Sequence, residues 1–325
     1  MELLKQNIVN KKNSGFVLLM VILCVLPFLL SAYRLEVVVM LLTNIILVVG
    51  FRLITTTGDF SFAHATLMGV GAYTTAMIGK DLGWPFLAIL PMGALMAALV
   101  GLIISYPLLR MRGFYFFIGS MAAGEAIRLC WVKFTNPFGG PSGISHIPPA
   151  SIFGIDLRGG IPFYFLVMVI MVICVLILYR IDKSRLGDSF KAIAAGEDLS
   201  KSVGINIYRY RMLAFVMGSF FAGIAGVLAA YRLATVDPHQ YAVGVALVVL
   251  VWVVVGGRTT FAGPIIGVVV LSLIEESIRT TMQEWMPLFY GAILILTVLF
   301  LPGGLESIPK KLLPWFKKKF GGSTV

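Results

Sequence analysis

Residues 35–54 read LEVVVMLLTNIILVVGFRLI, a run whose only charged members, Glu36 and Arg52, stand near its two ends. Crossing about 30 Å of hydrocarbon takes about 20 helical residues. This segment has that length and that apolarity, so it reads as a membrane span.

Working outward, charges and Gly/Pro turns mark off nine more such runs, at 16–32, 61–79, 85–109, 113–132, 162–180, 211–231, 241–256, 262–278 and 286–301. The composition agrees. Of the 325 residues 59% are apolar and 13% charged, with a mean hydropathy of +0.95, whereas soluble domains are about 45–50% apolar. No polar stretch is long enough for a soluble domain. The expected fold is an all-α integral membrane protein, a polytopic helical bundle of about ten transmembrane spans with both termini cytoplasmic. Its parts are a cytoplasmic N-terminal segment 1–15, a transmembrane domain 16–305 and a basic cytoplasmic tail 306–325. The first run follows Lys5, Lys11 and Lys12 and has no A-x-A cleavage site after it, so it is expected to be a retained anchor.

The net charge of +11 could point to nucleic acid, but excess Lys and Arg in a membrane protein collects on cytoplasmic loops and fixes orientation. With the N-terminus inside, 19 of the 26 basic residues fall on the cytoplasmic side, while the 15 acidic residues divide almost evenly. The partner is therefore the lipid bilayer and not nucleic acid. Cys24, Cys130 and Cys174 lie inside apolar runs and are odd in number, which indicates neither a disulfide frame nor a metal cluster.

Two connections are long. Residues 133–161, outside and dense in Gly and Pro, suit an ordered irregular cap. Residues 181–210 are cytoplasmic, and the stretch SFKAIAAGEDLSKSVGI within them predicts a short amphipathic helix with Phe190, Ile193 and Ala194 on one face, stopping near Gly204. A helix of that kind between two spans is a docking element or a membrane-surface helix.

Enzymatic motifs are missing. Gly79-Lys80 is followed by Asp81, so there is no P-loop, and neither G-x-S-x-G nor H-E-x-x-H occurs. His64, His146 and His239 stand in separate regions without companions at metal-ligand spacing. Ionisable residues inside spans tell more, since each costs about 2.5–3.5 kcal/mol at a helix centre. Glu125 and Arg128, three apart near the middle of the fifth span, either pair to fix helix packing or line a polar path. Glu275, Glu276 and Arg279 form a similar group near the outer end of the ninth span. Between the second and third spans, TTTGDFSFAHATLMGVGAYTTA carries Gly58, Gly69 and Gly71 with Ser61 and His64 at its head. Such glycines either break a helix and free backbone groups for a solute or allow close helix packing. Asn44, Ser61, His64, Glu125, Arg128 and Glu276 are the candidate path residues. GGRTTFAGPIIGV weakly echoes the first segment, with Gly257, Thr260, Phe261 and Ala262 at the spacing of Gly58, Ser61, Phe62 and Ala63.

Over about residues 40–305 the chain resembles the permease family of Liv-type ABC importers, in particular its LivM-like branch. The resemblance rests on GDFSFAHATLMGVGAY, RMRGFYFFIGSMAAGEAIRL, RLGDSFKAIAAGEDLSKSVGINIYRYRMLAF and LFLPGGL, in that order. It implies a membrane half that joins a second, related permease subunit, two ATP-binding subunits and an external solute-binding protein, in the bacterial inner membrane. ATP and Mg would then lie on the partner subunits, with no cofactor in this chain. It also implies coupling to the ATPases through Gly187, Asp188, Ala194, Ala195, Glu197, Asp198, Gly204, Ile205 and Asn206. The sequence departs from the family pattern at the less acidic AAGEDLS, at Arg258 and its two threonines, and at Ala63 before the histidine. Relatives of this kind are associated with leucine, isoleucine and valine, others with urea or short amides. A stand-alone ion-coupled transporter or channel, with Glu125 carrying a proton, is the competing class.

Overall fold

The computed structural model describes residues 20–152, 155–157, 159–279, 285–301 and 303–307. The expected N-terminal segment 1–15, the start of the first run and the tail from residue 308 onward lie outside the described residues. In chain order the helices are α1 (Met20–Leu29), then α2 (Ala32–Thr55), α3 (Ala63–Asp81), α4 (Phe86–Leu108), α5 (Phe114–Lys133), the single turn α6 (Thr135–Phe138) and α7 (Gly160–Asp182). They continue with α8 (Arg185–Ala195), α9 (Glu197–Ser202), α10 (Ile207–Leu233), α11 (Val243–Gly256), α12 (Gly263–Arg279) and α13 (Met286–Phe300). Among the described residues, five helical segments are long and apolar enough to cross a membrane, namely α2, α4, α7, α10 and Leu288–Ser307, which overlaps α13. The protein is a helical membrane protein.

Outward-facing Leu95, Leu99 and Ile103 on α4, Ile173 and Leu176 on α7, and Leu296 and Leu299 on α13 are exposed. Exposed aliphatic residues of this kind suit hydrocarbon as their solvent. The interior is built differently. Every residue from Ser61 to Ala76 is buried, so α3 runs through the centre of the bundle with α10, α4, α5 and α11 packed around it. That helix is rich in threonine, and burial of its hydroxyls is tolerated because Thr74 donates to the Val70 carbonyl (2.7 Å) and Thr75 to the Gly71 carbonyl (2.9 Å), each bond staying inside the helix. Glycine sets the spacing. A Cβ at Gly71 would overlap the Gly223 carbonyl, and one at Gly226 would overlap the Met68 carbonyl, so α3 and α10 touch backbone to backbone.

Of the two readings of the glycines, packing is the one realised: Gly69 and Gly71 do not break a helix, because α3 is continuous from Ala63 to Asp81, and of the three only Gly58, at φ +93°, stands at a turn. One sequence expectation is corrected, since the connection 181–210 holds two helices, α8 and α9, separated at Gly196. The connection between α5 and α7 is an irregular cap, as its Gly and Pro content indicates. It contains α6, a 3-10 turn at Gly140–Ser142 and short strands β1 (Ile144–Ser145), β2 (Ser151–Ile152) and β3 (Ile155–Asp156). β1 pairs antiparallel with β4 (Thr235–Val236), and β2 with β3.

The helix ends sort into two groups. The β1–β4 ribbon joins the cap to the segment after α10, and Lys80 Nζ donates to the Ser145 carbonyl at 3.5 Å. These mark one end of the bundle. At the other, side chains from the α2–α3, α4–α5, α7–α10, α11–α12 and post-α13 connections meet in a network of ion pairs.

Candidate functional site

Arg52, in the last turn of α2, is 2% exposed. A buried guanidinium needs partners for its donors, and it has them. Its Nη1 pairs with Asp182 Oδ1 at the end of α7 (2.8 Å), its Nε donates to the Thr260 carbonyl (3.1 Å), and its plane lies over the Phe261 ring, 5.4 Å from the centroid. Lys191 of α8 reaches the same Asp182 carboxylate at 3.3 Å. A second node centres on Arg211, in the first turns of α10. It holds Asp59 with two hydrogen bonds, one of them at 2.5 Å, and Glu197 at 3.2 Å. Thr57 adds a hydroxyl donor to Asp59 at 3.3 Å, and Arg112 approaches Glu197 at 3.5 Å. Burial pushes the Asp59 carboxyl up, against the Arg211 hydrogen bonds and charge that pull it down.

A third node belongs to Glu306. Its carboxylate accepts the backbone N–H groups of Thr259 and Thr260, both at 2.9 Å, and both threonine hydroxyls. Gly257, at φ +103°, leaves room for this carboxylate, which a Cβ there would overlap. The weak repeat in the sequence thus has a structural counterpart. The turns at Gly58 and Gly257 open α3 and α12 at the same end of the bundle, and they face one another, with Arg258 over the Phe60 ring at 5.9 Å. None of Arg52, Asp59, Asp182, Arg211 or Glu306 was a sequence candidate. The signal was their position at span ends, which looks the same as an ordinary orienting charge.

The expected coupling residues lie along α8, α9 and their exit. Asp188, Ala194, Ala195, Asp198, Gly204 and Asn206 are exposed. Gly187 is buried against the last turn of α7, where a Cβ would overlap the Asp182 carbonyl. Glu197 and Ile205 are half-buried, Glu197 being committed to Arg211 and Arg112. Asn206 also caps α10, its side chain accepting the Arg209 N–H at 3.1 Å. α8 lies directly on the α2–α3 turn, with a Cβ at Gly58 coming 3.6 Å from Ala194 Cα. Two large apolar side chains on this connection, Leu199 and Val203, are 73% and 69% exposed.

The candidate path residues separate into three groups. Asn44 lines a cavity of about 360 Å³ between α2, α3, α10, α11 and α12, together with Leu47, Arg232, Gln240 and Glu275. The Leu47 carbonyl bonds His64 Nε2 at 3.0 Å, which puts the imidazole proton on that nitrogen. His64 is 1% and Ser61 2% exposed, and Ser61 Oγ and His64 Nδ1 have no hydrogen-bond partner among the described residues. Glu125 and Arg128 form their own group on α5, a bidentate pair with Arg128 Nε donating to Oε2 at 2.9 Å. This pair is at the protomer surface, the Glu125 side chain being 34% exposed. Glu276 accepts the Tyr33 hydroxyl near the start of α2. His146 and His239 lie in the connections at the cap end, apart from His64.

A bundle of apolar, membrane-crossing helices enclosing a partly polar cavity, with a buried ion-pair network gathered at one end, defines a polytopic membrane protein of the permease class. The chain belongs to the family of permease components of branched-chain amino acid transport systems, whose family model matches residues 33–298. It is 28% identical to the high-affinity branched-chain amino acid transport system permease protein LivM of Escherichia coli K12, over 96% of this chain and 78% of that protein. It is 27% identical to the probable LivM of Methanocaldococcus jannaschii over 70% of each chain. A 24% identity to the fructose import permease FruF of Bifidobacterium longum covers 76% of this chain and 70% of that one. No solved structure matches.

Proposed function

We propose that this chain is one membrane half of an ATP-binding cassette importer that carries branched-chain or similar small amino acids across a bacterial cytoplasmic membrane. In this reading an external binding protein delivers the solute, and two separate ATP-binding subunits, holding ATP and Mg, drive the cycle. The branched-chain solute rests on the LivM relatives, which match more of the chain than the sugar permease does. The ion-pair end is cytoplasmic, supported by the 19 basic residues that a ten-span chain with both termini inside assigns there.

The observation that carries the coupling role is the pair Leu199 and Val203. Both stand out from a polar connection, where bare apolar side chains mark a protein contact. The same connection is tied through Glu197 and Arg211 to Asp59, and through Lys191 to Asp182. Movement of a docked ATPase would reach the α2–α3 turn through two ion-pair nodes, biasing the bundle between inward-open and outward-open states. Replacing Leu199 and Val203 by Glu tests this. The expected outcome is a stable chain whose complex, in proteoliposomes, loses solute-stimulated ATP hydrolysis; unchanged stimulation removes α9 from the interface.

A second, related permease is supported by α5. Its Glu125–Arg128 pair sits mid-helix at the protomer surface, and charges presented to hydrocarbon there are costly. A neighbouring permease, with a polar path between the two, provides a better environment. The ion-coupled carrier reading needs Glu125 as a mobile proton site, but its carboxylate is already held by a guanidinium.

A further inference from the structure

We infer that a two-part cavity among α3, α4, α5 and α6 is a binding site for one phospholipid, with an acyl chain in its apolar part and the phosphate at Lys80. The apolar part, about 450 Å³, has Val70, Met77, Met92, Met96, Ile127 and Trp131 on its walls. The polar part, about 200 Å³, is lined by Lys80, Thr135 and Ser145. The two adjoin, because Met77 lines both and the α6 neighbours Pro137 and Phe138 line one each. The site is separate from the solute and the ATPases; it needs only that the bundle crosses a membrane.

Length, access and charge each name the occupant. From Val70 to Lys80 α3 advances about 15 Å at 1.5 Å per residue, which is one leaflet of a hydrocarbon core about 30 Å thick. The polar part stands at the Lys80 end, beside the cap, where a headgroup belongs. Access is from the side. Met96 is exposed, as are Leu95 and Leu99 next to it on α4, and Cys130 on the same lining is exposed too. The apolar part therefore opens onto the face whose solvent is hydrocarbon. Its methionines, with Tyr73 stacked on Trp131 at 4.4 Å, make a wall that adapts to a flexible chain. The Thr74 hydroxyl on this lining is already given to the Val70 carbonyl. Ile127 and Cys130 are each about half a turn out of phase with Glu125 at 3.6 residues per turn, so the cavity lies on the side of α5 away from that carboxylate. At the polar end Lys80 is exposed, and of the three donors of an ammonium one reaches the Ser145 carbonyl at 3.5 Å. Lys133, in the last turn of α5, is exposed close by. No acidic side chain among the described residues lines either part. A phosphate is the group that answers this charge, and an acyl chain the one that fills the space beneath it.

The test is native mass spectrometry of the full-length chain, stripped of lipid in mild detergent and titrated with phosphatidylglycerol or with diacylglycerol of the same chains. One phosphatidylglycerol per chain should bind saturably, about tenfold or more tighter than diacylglycerol, the gain of one charge-assisted contact. Lys80→Gln should weaken phosphatidylglycerol by that factor and leave diacylglycerol unchanged. Met96→Trp, filling the mouth of the apolar part, should abolish binding of both lipids. Leu99→Trp, on the neighbouring exposed stripe of the same helix, should bind as the unmodified chain does. Phosphatidylglycerol that never saturates, that diacylglycerol matches, or that either Lys80→Gln or Met96→Trp leaves in place overturns the inference, and so does loss of binding in Leu99→Trp. If Met96→Trp does not remain monodisperse, Lys80→Gln, at an exposed position, decides by itself.

Discussion

Arg211 and Arg52 do at the residue scale what the hydropathy of the spans cannot. Each gathers the end of one helix, a neighbouring connection and an acidic partner into a buried cluster. Breaking a buried ion pair by removing one partner costs about 3–5 kcal/mol, because the other charge is stranded. Arg211→Met is therefore expected to destabilise the chain by about that much, and Arg211→Met combined with Asp59→Leu to recover most of the loss. Reversible unfolding in mixed micelles reads both; a double variant no better than the single one would show that the pair contributes little. These residues were illegible in one dimension. A count of orienting charges treats Arg52 and Lys183 alike, yet Arg52 is buried and Lys183 exposed. What separates them is whether a later connection folds over the helix end, which depends on contacts as remote as Arg52 with Thr260. Glu125 and Arg128 were legible, because an i, i+3 spacing on a helix fixes their contact locally.

Among the elements, α3 shows how a weak membrane signal becomes the centre of a bundle. Its threonines and glycines lower its hydropathy, but those residues suit an interior position, where hydroxyls bond back to the helix and glycines let backbones meet. The sequence left open whether Gly69 and Gly71 mark a break or a packing face, since both readings need small residues. The continuous helix decides for packing. Gly71→Val should cost about 1–3 kcal/mol or more by overpacking against Gly223, while Gly244→Ala, facing open space, should leave thermal stability in detergent unchanged. Equal melting temperatures for the two would contradict the close approach of α3 and α10. The α8–α9 connection was legible as amphipathic helix because Phe190 and Ile193 recur on one face and are buried, whereas Ala194, read onto the same face, is exposed. Its interruption at Gly196 was hidden, as a glycine inside a helical pattern is compatible with continuation. The exposed Leu199 and Val203 belong to the second half, which a single helix would have placed elsewhere.

For the whole molecule, long apolar runs mark a helical membrane protein, whereas assembly depends on surfaces that a single chain leaves uncovered. Two such surfaces are named above, the ion pair midway along α5 and the apolar pair Leu199 and Val203 on α9 and its C-cap, and in the proposed importer they face different neighbours. Glu125→Gln should impair uptake several-fold with the complex still assembled, as counted by subunit stoichiometry; full uptake by that variant would remove Glu125 from the path. The central claim is that this chain works only as part of an ATP-driven complex. The most direct measurement is to tag the chain, extract it in mild detergent and identify by mass spectrometry what remains bound. Recovery of a P-loop ATPase and a second permease in near-equal amounts is the expected result. Recovery of the chain alone, monodisperse and competent for ion-driven uptake in vesicles, would contradict it.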